Sequence, residues 1–203
     1  MQAALPVLAA LVATVLLTPA AWPATEEGWQ PAGWNSGVQL DYRPTPSGFR
    51  AYRGSVEVCT DLGPLRRFVA DAAHLDEWIP YTEEARELPH EEPEQLYYLR
   101  TSAPWPFKSR DMVYRLTPLP EDRTDTISIE LEGVPDALPE RHDAVRMTSA
   151  EGGWTLVSGN GRIEVTLSLA VNPGRAPAFF ADRRLAATVG GTLANLARQF
   201  PCE

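Results

Sequence analysis

The sequence predicts an α+β domain, a curved antiparallel β-sheet wrapped around one long C-terminal α-helix, with two short helices after the second strand. Three observations carry this. Between Tyr81 and Val171 short runs alternate apolar and polar side chains and are separated by turn-forming residues. Ala176 to Phe200 is the one long segment with apolar residues at helical spacing. A shorter helical pattern, Leu62 to Trp78, interrupts the strands near the start. A sheet that is apolar on one face, followed by one amphipathic helix, buries both by wrapping the first around the second.

The chain has 203 residues and 44% hydrophobic content, enough for one domain with its own core. No charged side chain occurs in the first 24 residues, and Leu5 to Leu17 is broken only by Pro6 and Thr14. That run has the length of a signal-peptide core and is short for a membrane span. Residues 1–20 therefore read as a signal peptide cleaved after Ala20 or Ala21, residues 21–36 as a leader, and residues 37–203 as the domain. The implied location is periplasmic or secreted. The absence of Lys or Arg at the start leaves an uncleaved membrane anchor as the alternative.

Cys59 and Cys202 both fall in the exported part, where an oxidising compartment lets them close a long loop. The alternative is a buried Cys59 thiol and a frayed Cys202. The net charge of −9, with no basic run, repels phosphate backbones and excludes nucleic acid as a partner.

Residues 21–36 mix Pro, Gly and Trp without a period, so Trp29 and Trp34 are expected to pack on the domain edge. Val38 to Arg43 and Phe49 to Cys59 alternate as two antiparallel strands joined by the Pro44 to Gly48 turn. Asp61 suits a helix N-cap, with Leu62, Leu65, Val69 and Ala72 on one face. A second helix near His74 to Trp78 is stopped by Pro80. Strands follow at roughly 82–90, 94–102, 107–118, 125–133, 143–150, 153–158 and 161–171, with hairpin turns expected at Gly152-Gly153 and Ser158 to Gly161. Ile127, Ile129 and Leu131 share one face, as do Ile163, Val165, Leu167, Leu169 and Val171. On the final helix Leu185, Val189, Thr192, Leu193 and Leu196 share a face, with Arg183, Arg184 and Arg198 mostly off it. Gly190 and Gly191 in its middle imply that the sheet or a ligand comes close to the backbone.

Catalytic patterns are thin. His74, His90 and His142 are scattered, no cysteine has metal-ligand spacing, and no nucleophile turn or phosphate loop is present. Asp71, His74 and Glu77 read as surface residues of a helix end rather than metal ligands. No cofactor, metal or catalytic residue is expected.

The remaining signal is Thr101 to Arg115, TSAPWPFKSRDMVYR. Pro104 and Pro106 bracket Trp105 and require a bend between two strands, because proline gives no amide hydrogen to a ladder. Arg110 and Asp111 open the next strand. A proline-bracketed tryptophan, Arg-Asp and a hydrophobic strand resemble the central signature of the START lipid-transfer domains of the helix-grip superfold, and the order of elements over roughly residues 29–200 is similar.

The resemblance implies a tunnel between sheet and helix for one hydrophobic ligand, whether lipid, isoprenoid or sterol-like, in a monomer that contacts membranes transiently. With the face of Arg110 pointing inward, the implied lining is Tyr97, Leu99, Met112, Tyr114, Leu116, Ile129, Leu167, Val189 and Leu193. Phe179 and Phe180, beside Pro173, Gly174 and Pro177, are expected at the gate. Trp105, Arg110 and Asp111 are expected to be structural, the two charges ion-paired. Several sterol-binding members carry an inward arginine where this chain has Leu116, which argues for a more apolar tunnel. The rival within the superfold is an enzyme, an aromatase/cyclase or hydrolase using a pocket tyrosine and Arg110.

Overall fold

A computed structural model describes residues 28–120 and 123–202. The expected signal peptide lies outside the described residues. Ten strands form one sheet: β1 Gln30–Asn35, β2 Val38–Pro44, β3 Arg50–Val58, β4 Thr82–Leu88, β5 Gln95–Thr101, β6 Ser109–Pro118, β7 Thr126–Gly133, β8 Ala144–Arg146, β9 Ser149–Gly159 and β10 Arg162–Asn172. Helices α1 Leu62–Ala70 and α2 Leu75–Trp78, with a 3-10 turn between them, separate β3 from β4, and α3 Ala178–Gln199 closes the chain.

The strand order is β1-β2-β3-β10-β9-β7-β6-β5-β4, and β8 adds to β6. Apart from the parallel β6–β8 pair, all pairings are antiparallel. This is the expected curved sheet around a helix. Val189, Leu193 and Leu196 of α3 are fully buried in the same core as Leu156, Ile163 and Val165 of the sheet. On the opposite face of β5 and β6, Tyr98 and Val113 form a small second cluster with Leu88, so side-chain parity along β6 follows the alternation of the sequence.

Three local expectations are corrected. Part of the leader is a strand: Gln30 to Asn35 pairs with β2, its register shifting between Pro31 and Gly33. An edge strand tolerates Pro31, and a bulge hides the period-2 pattern that would have exposed it. Trp34 is 74% exposed, while Trp29 lies beneath the guanidinium groups of Arg43 and Arg53 at 5.0 and 4.7 Å. Gly152-Gly153 is not a turn but the middle of β9. A Cβ there would come within 2.0 Å of the Ser168 carbonyl and 2.2 Å of the Ile129 carbonyl, so glycine is required for close approach of the flanking strands. Asp61 precedes α1 without a side-chain capping bond, whereas Asp71 accepts from the Ala73 amide at the 3-10 turn.

A disulfide joins Cys59 at the end of β3 to Cys202, with Cα atoms 5.0 Å apart. It fastens the segment after α3 to the sheet, where the Cys59 amide also donates to the Phe200 carbonyl. The mid-helix glycines serve packing: a Cβ on Gly190 would meet the Asn35 carbonyl at 2.8 Å, and one on Gly191 the Pro80 ring at 2.6 Å. Of the two expected neighbours it is protein, not ligand, that approaches them.

Candidate functional site

A cavity of about 90 Å³ lies between the sheet and the first turns of α3. Strand β5 and the residues after it supply Leu99, Thr101 and Ser102; β6 supplies Arg110 and Met112; α3 supplies Phe180, Ala181, Arg184, Leu185 and Thr188. Leu169 and Val171 of β10, and Pro173 and Ala176 of the following segment, complete one wall. Its surface is almost wholly apolar. Among the described residues, no carboxylate, histidine, cysteine or tyrosine lines it.

Register explains the lining. Leu99 faces Met112 and Thr101 faces Arg110 across the β5–β6 ladder, so alternate residues of both strands project to the same side. Farther along that face Tyr97 faces Tyr114, their rings stacked at 5.4 Å. There the space is filled. Tyr97 donates to the Ala70 carbonyl at 2.7 Å, and burial pushes both phenols well above the usual tyrosine range.

Of the residues expected to line a tunnel, Leu99 and Met112 reach the cavity, as does the expected gate residue Phe180. Tyr97, Tyr114, Leu116, Ile129, Leu167, Val189 and Leu193 instead pack in the core and do not line it. The correction has a simple physical source. Around Val189 to Leu193 the helix lies close against protein, with a Cβ on Gly190 or Gly191 already meeting Asn35 or Pro80, whereas toward its start Ala181 and Thr188 are short and a gap to Leu99 and Met112 stays open between Phe180, Arg184 and Leu185.

Arg184 was missed. On α3, Ala181, Arg184, Leu185 and Thr188 follow i, i+3, i+4, i+7 spacing, so Arg184 lies beside Leu185 on the cavity side. Its Nη2 donates to the carbonyl and to the hydroxyl of Ser102, and its guanidinium sits 3.3 Å from the Tyr81 ring centre. Arg110 is 7% exposed and donates to the carbonyls of Lys108 and Arg175. Burial lowers the pKa of both arginines from the ordinary guanidinium value.

Of the two charges expected in structural ion pairs, Asp111 has one and Arg110 has none among the described residues. Adjacent residues of a strand point to opposite faces, so Asp111 turns away from the cavity and meets Arg146, which parallel pairing of β8 sets beside it. Trp105 is no packed corner either, at 93% exposed. The same loop instead contributes Phe107, stacked on Phe180 at 5.4 Å. Phe179, next to Phe180, is 78% exposed. The segment before α3 and its first turns are thus held to the 102–110 corner by one aromatic stack and two arginine clamps.

The STAR-related lipid transfer protein (fragment 25–204) of Xanthomonas axonopodis superimposes with a TM-score of 0.76 and is 33% identical, covering 85% of this chain and 98% of that one. The chain belongs to the STAR-related lipid-transfer (START) family. An uncharacterised protein of Pseudomonas aeruginosa is 29% identical over 155 residues, 74% of this chain and 75% of its own length. Human STARD10, at 19% identity and a TM-score of 0.71, shares the fold over 88% of this chain and 76% of its own. A Streptomyces aromatase/cyclase, at TM-score 0.51 and 16% identity over 73% of this chain and 92% of its own, shares the fold alone. No protein-family model matches the chain. Among the described residues of this START chain, no helix is long and apolar enough to cross a membrane, and no three His, Cys, Asp or Glu side chains group as metal ligands.

Proposed function

We infer that this START protein binds one hydrophobic, lipid-like ligand in the cavity beneath the start of α3 and carries or senses it in the cell envelope. The observation that supports this most is the lining: an almost wholly apolar pocket between the sheet and the first turns of α3, in a member of a lipid-transfer family.

The cavity volume bears on the mechanism. About 90 Å³ falls below the roughly 300–1,000 Å³ of sites that enclose drug-sized ligands. A lipid therefore enters a widened state in which the start of α3 moves off the 102–110 corner. The contacts to be broken are the Phe107–Phe180 stack, worth about 0.5–1.5 kcal/mol, and the Arg184–Ser102 and Arg110–Arg175 bonds, worth up to about 3 kcal/mol each. That is a closure a bound ligand can shift. Phe180 acts as the gate, and exposed Trp105 and Phe179 touch the membrane during exchange.

In the enzyme reading Tyr114 would give a proton to a substrate. It lies outside the cavity, and the cavity's titratable groups are two arginines. The test is native mass spectrometry of the full chain after incubation with total lipid extracts. A stoichiometric lipid-sized adduct that disappears on denaturation is expected; a bare protein mass from every extract overturns the reading.

A further inference from the structure

We propose that the ligand's polar end is an anionic oxygen group, a carboxylate or a phosphate, held between Arg110 and Arg184. This rests on the cavity being the lipid site, and adds what the headgroup must be.

Among the described residues the two arginines are the only charged side chains of the lining, whose other polar side chains are the hydroxyls of Thr101, Ser102 and Thr188. Among the described residues neither forms an ion pair: their hydrogen bonds go to the carbonyls of Lys108, Arg175 and Ser102 and to the Ser102 hydroxyl. Glu83, the nearest acidic influence on Arg184, is instead bonded to Arg100 at 2.9 Å and to Ser109. Other buried or half-buried arginines of the chain do have carboxylates: Arg146 has Asp111, Arg115 has Glu94 and Glu132, Arg100 has Glu83 and Asp143. A guanidinium at an apolar wall without a counter-charge is costly, and an anion arriving with an alkyl chain supplies that charge while the chain covers the apolar surface.

The backbone adds to this. Helix α3 runs 22 residues, begins at the cavity, has no side-chain cap at Pro177 and no acidic residue in its first turn. Its amide end is thus left positive, on the same side as the two guanidinium groups. The arrangement favours a fork of N–H donors onto oxygens over a neutral hydroxyl, which would leave both charges unmatched.

The alternative is that both arginines merely clamp carbonyls to shut the cavity. Pairs of ligands with the same chain separate the two. Binding of palmitoleic acid and of palmitoleyl alcohol to the full chain is measured by native mass spectrometry and by displacement of a fluorescent fatty-acid probe, with monoacylglycerol phosphate against monoacylglycerol as the phosphate arm. Anion preference of at least tenfold in one arm is expected, and the arm that shows it distinguishes carboxylate from phosphate. Arg110→Gln and Arg184→Gln should each reduce the preference at least tenfold by weakening the anion alone, and Arg→Lys should restore part of it. Equal affinity for charged and neutral members overturns the headgroup assignment and leaves the lipid reading standing. Loss of stability in the variants with the preference intact overturns the roles of these residues. Failure of all four ligands to bind overturns the headgroup assignment, and the lipid reading falls with it only if every lipid extract also leaves the protein bare. The wild-type comparison needs no variant to fold.

Discussion

Arg146 donates from Nε and Nη2 to the two carboxylate oxygens of Asp111 at 3.2 and 3.1 Å, with Asp111 completely buried. Arg146 also donates to the carbonyls of Pro135, Leu138 and Pro139. This pair fastens β8 and the 135–139 loop to β6, directly behind the strand that carries Arg110 and Met112 into the cavity. The Arg-Asp dipeptide therefore divides its labour by strand parity, one charge to each face.

Asp111→Asn should cost about 3–5 kcal/mol, because it leaves Arg146 buried without a counter-charge. Urea unfolding of Asp111→Leu, Arg146→Leu and the double variant Asp111→Leu/Arg146→Leu gives the coupling. The double variant should lose clearly less than the sum of the singles; strict additivity would mean that the pair does not act as a unit.

Stability should fall at high pH through the stacked tyrosines. Burial raises the pKa of Tyr97 and Tyr114 in the folded state above the ordinary value of 10, so the folded chain holds protons that the unfolded chain releases. Their contribution is complete below pH 10 and is lost as pH rises from there toward the folded values, by up to about 1.4 kcal/mol per pH unit per tyrosine. Urea midpoints measured from pH 9 upward should drop above 10. Tyr97→Phe should flatten the slope at the expense of the bond to Ala70; an unchanged slope in Tyr97→Phe and in Tyr114→Phe would refute this origin.

Cutting the Cys59–Cys202 link should destabilise by about 3–5 kcal/mol, since it closes a loop with a sequence separation of 143. Phe200 still packs edge-on against Phe68 at 5.2 Å, so α3 should stay docked in Cys202→Ser. Thermal unfolding of the oxidised protein, the reduced protein and Cys202→Ser checks this. A melting point unaffected by reductant would show that packing alone holds the end of the chain.

How much of this was legible in the sequence differs by element. Alternation assigned Arg110, Met112, Tyr114 and Leu116 to one face of β6, and the fold has them there, because a period of two is a local property of the chain. It did not say where along that face the space stays open. Whether Tyr97 and Tyr114 fill a gap or line one depends on side chains from α3 and α1 that come together only in three dimensions. Strand β1 was hidden by Pro31, Gly33 and a bulge, and Gly152-Gly153 resembled a turn because the signal for close strand approach is the same residue. Arg184 was within reach: its spacing from Ala181, Leu185 and Thr188 puts it on the inner face, but its charge argued for solvent.

Exchange of ligand should depend on two side chains that contribute little to the resting fold. Trp105 and Phe179 are large, apolar and almost fully exposed, one in the loop of Phe107 and the other beside Phe180. The Phe107–Phe180 stack brings those two segments together, so the exposed pair flanks the edge of the cavity that is proposed to open. Aromatic side chains of this kind partition into a lipid interface, where one face is apolar and the other wet. Trp105→Ser and Phe179→Ser should slow transfer of a fluorescent fatty acid between phosphatidylcholine vesicles by several fold, and more in the double variant. Equilibrium binding and unfolding midpoint should barely change, since neither side chain lines the cavity. A parallel loss of binding would place them in the ligand site instead. Unchanged transfer with unchanged binding would move the membrane contact to another face.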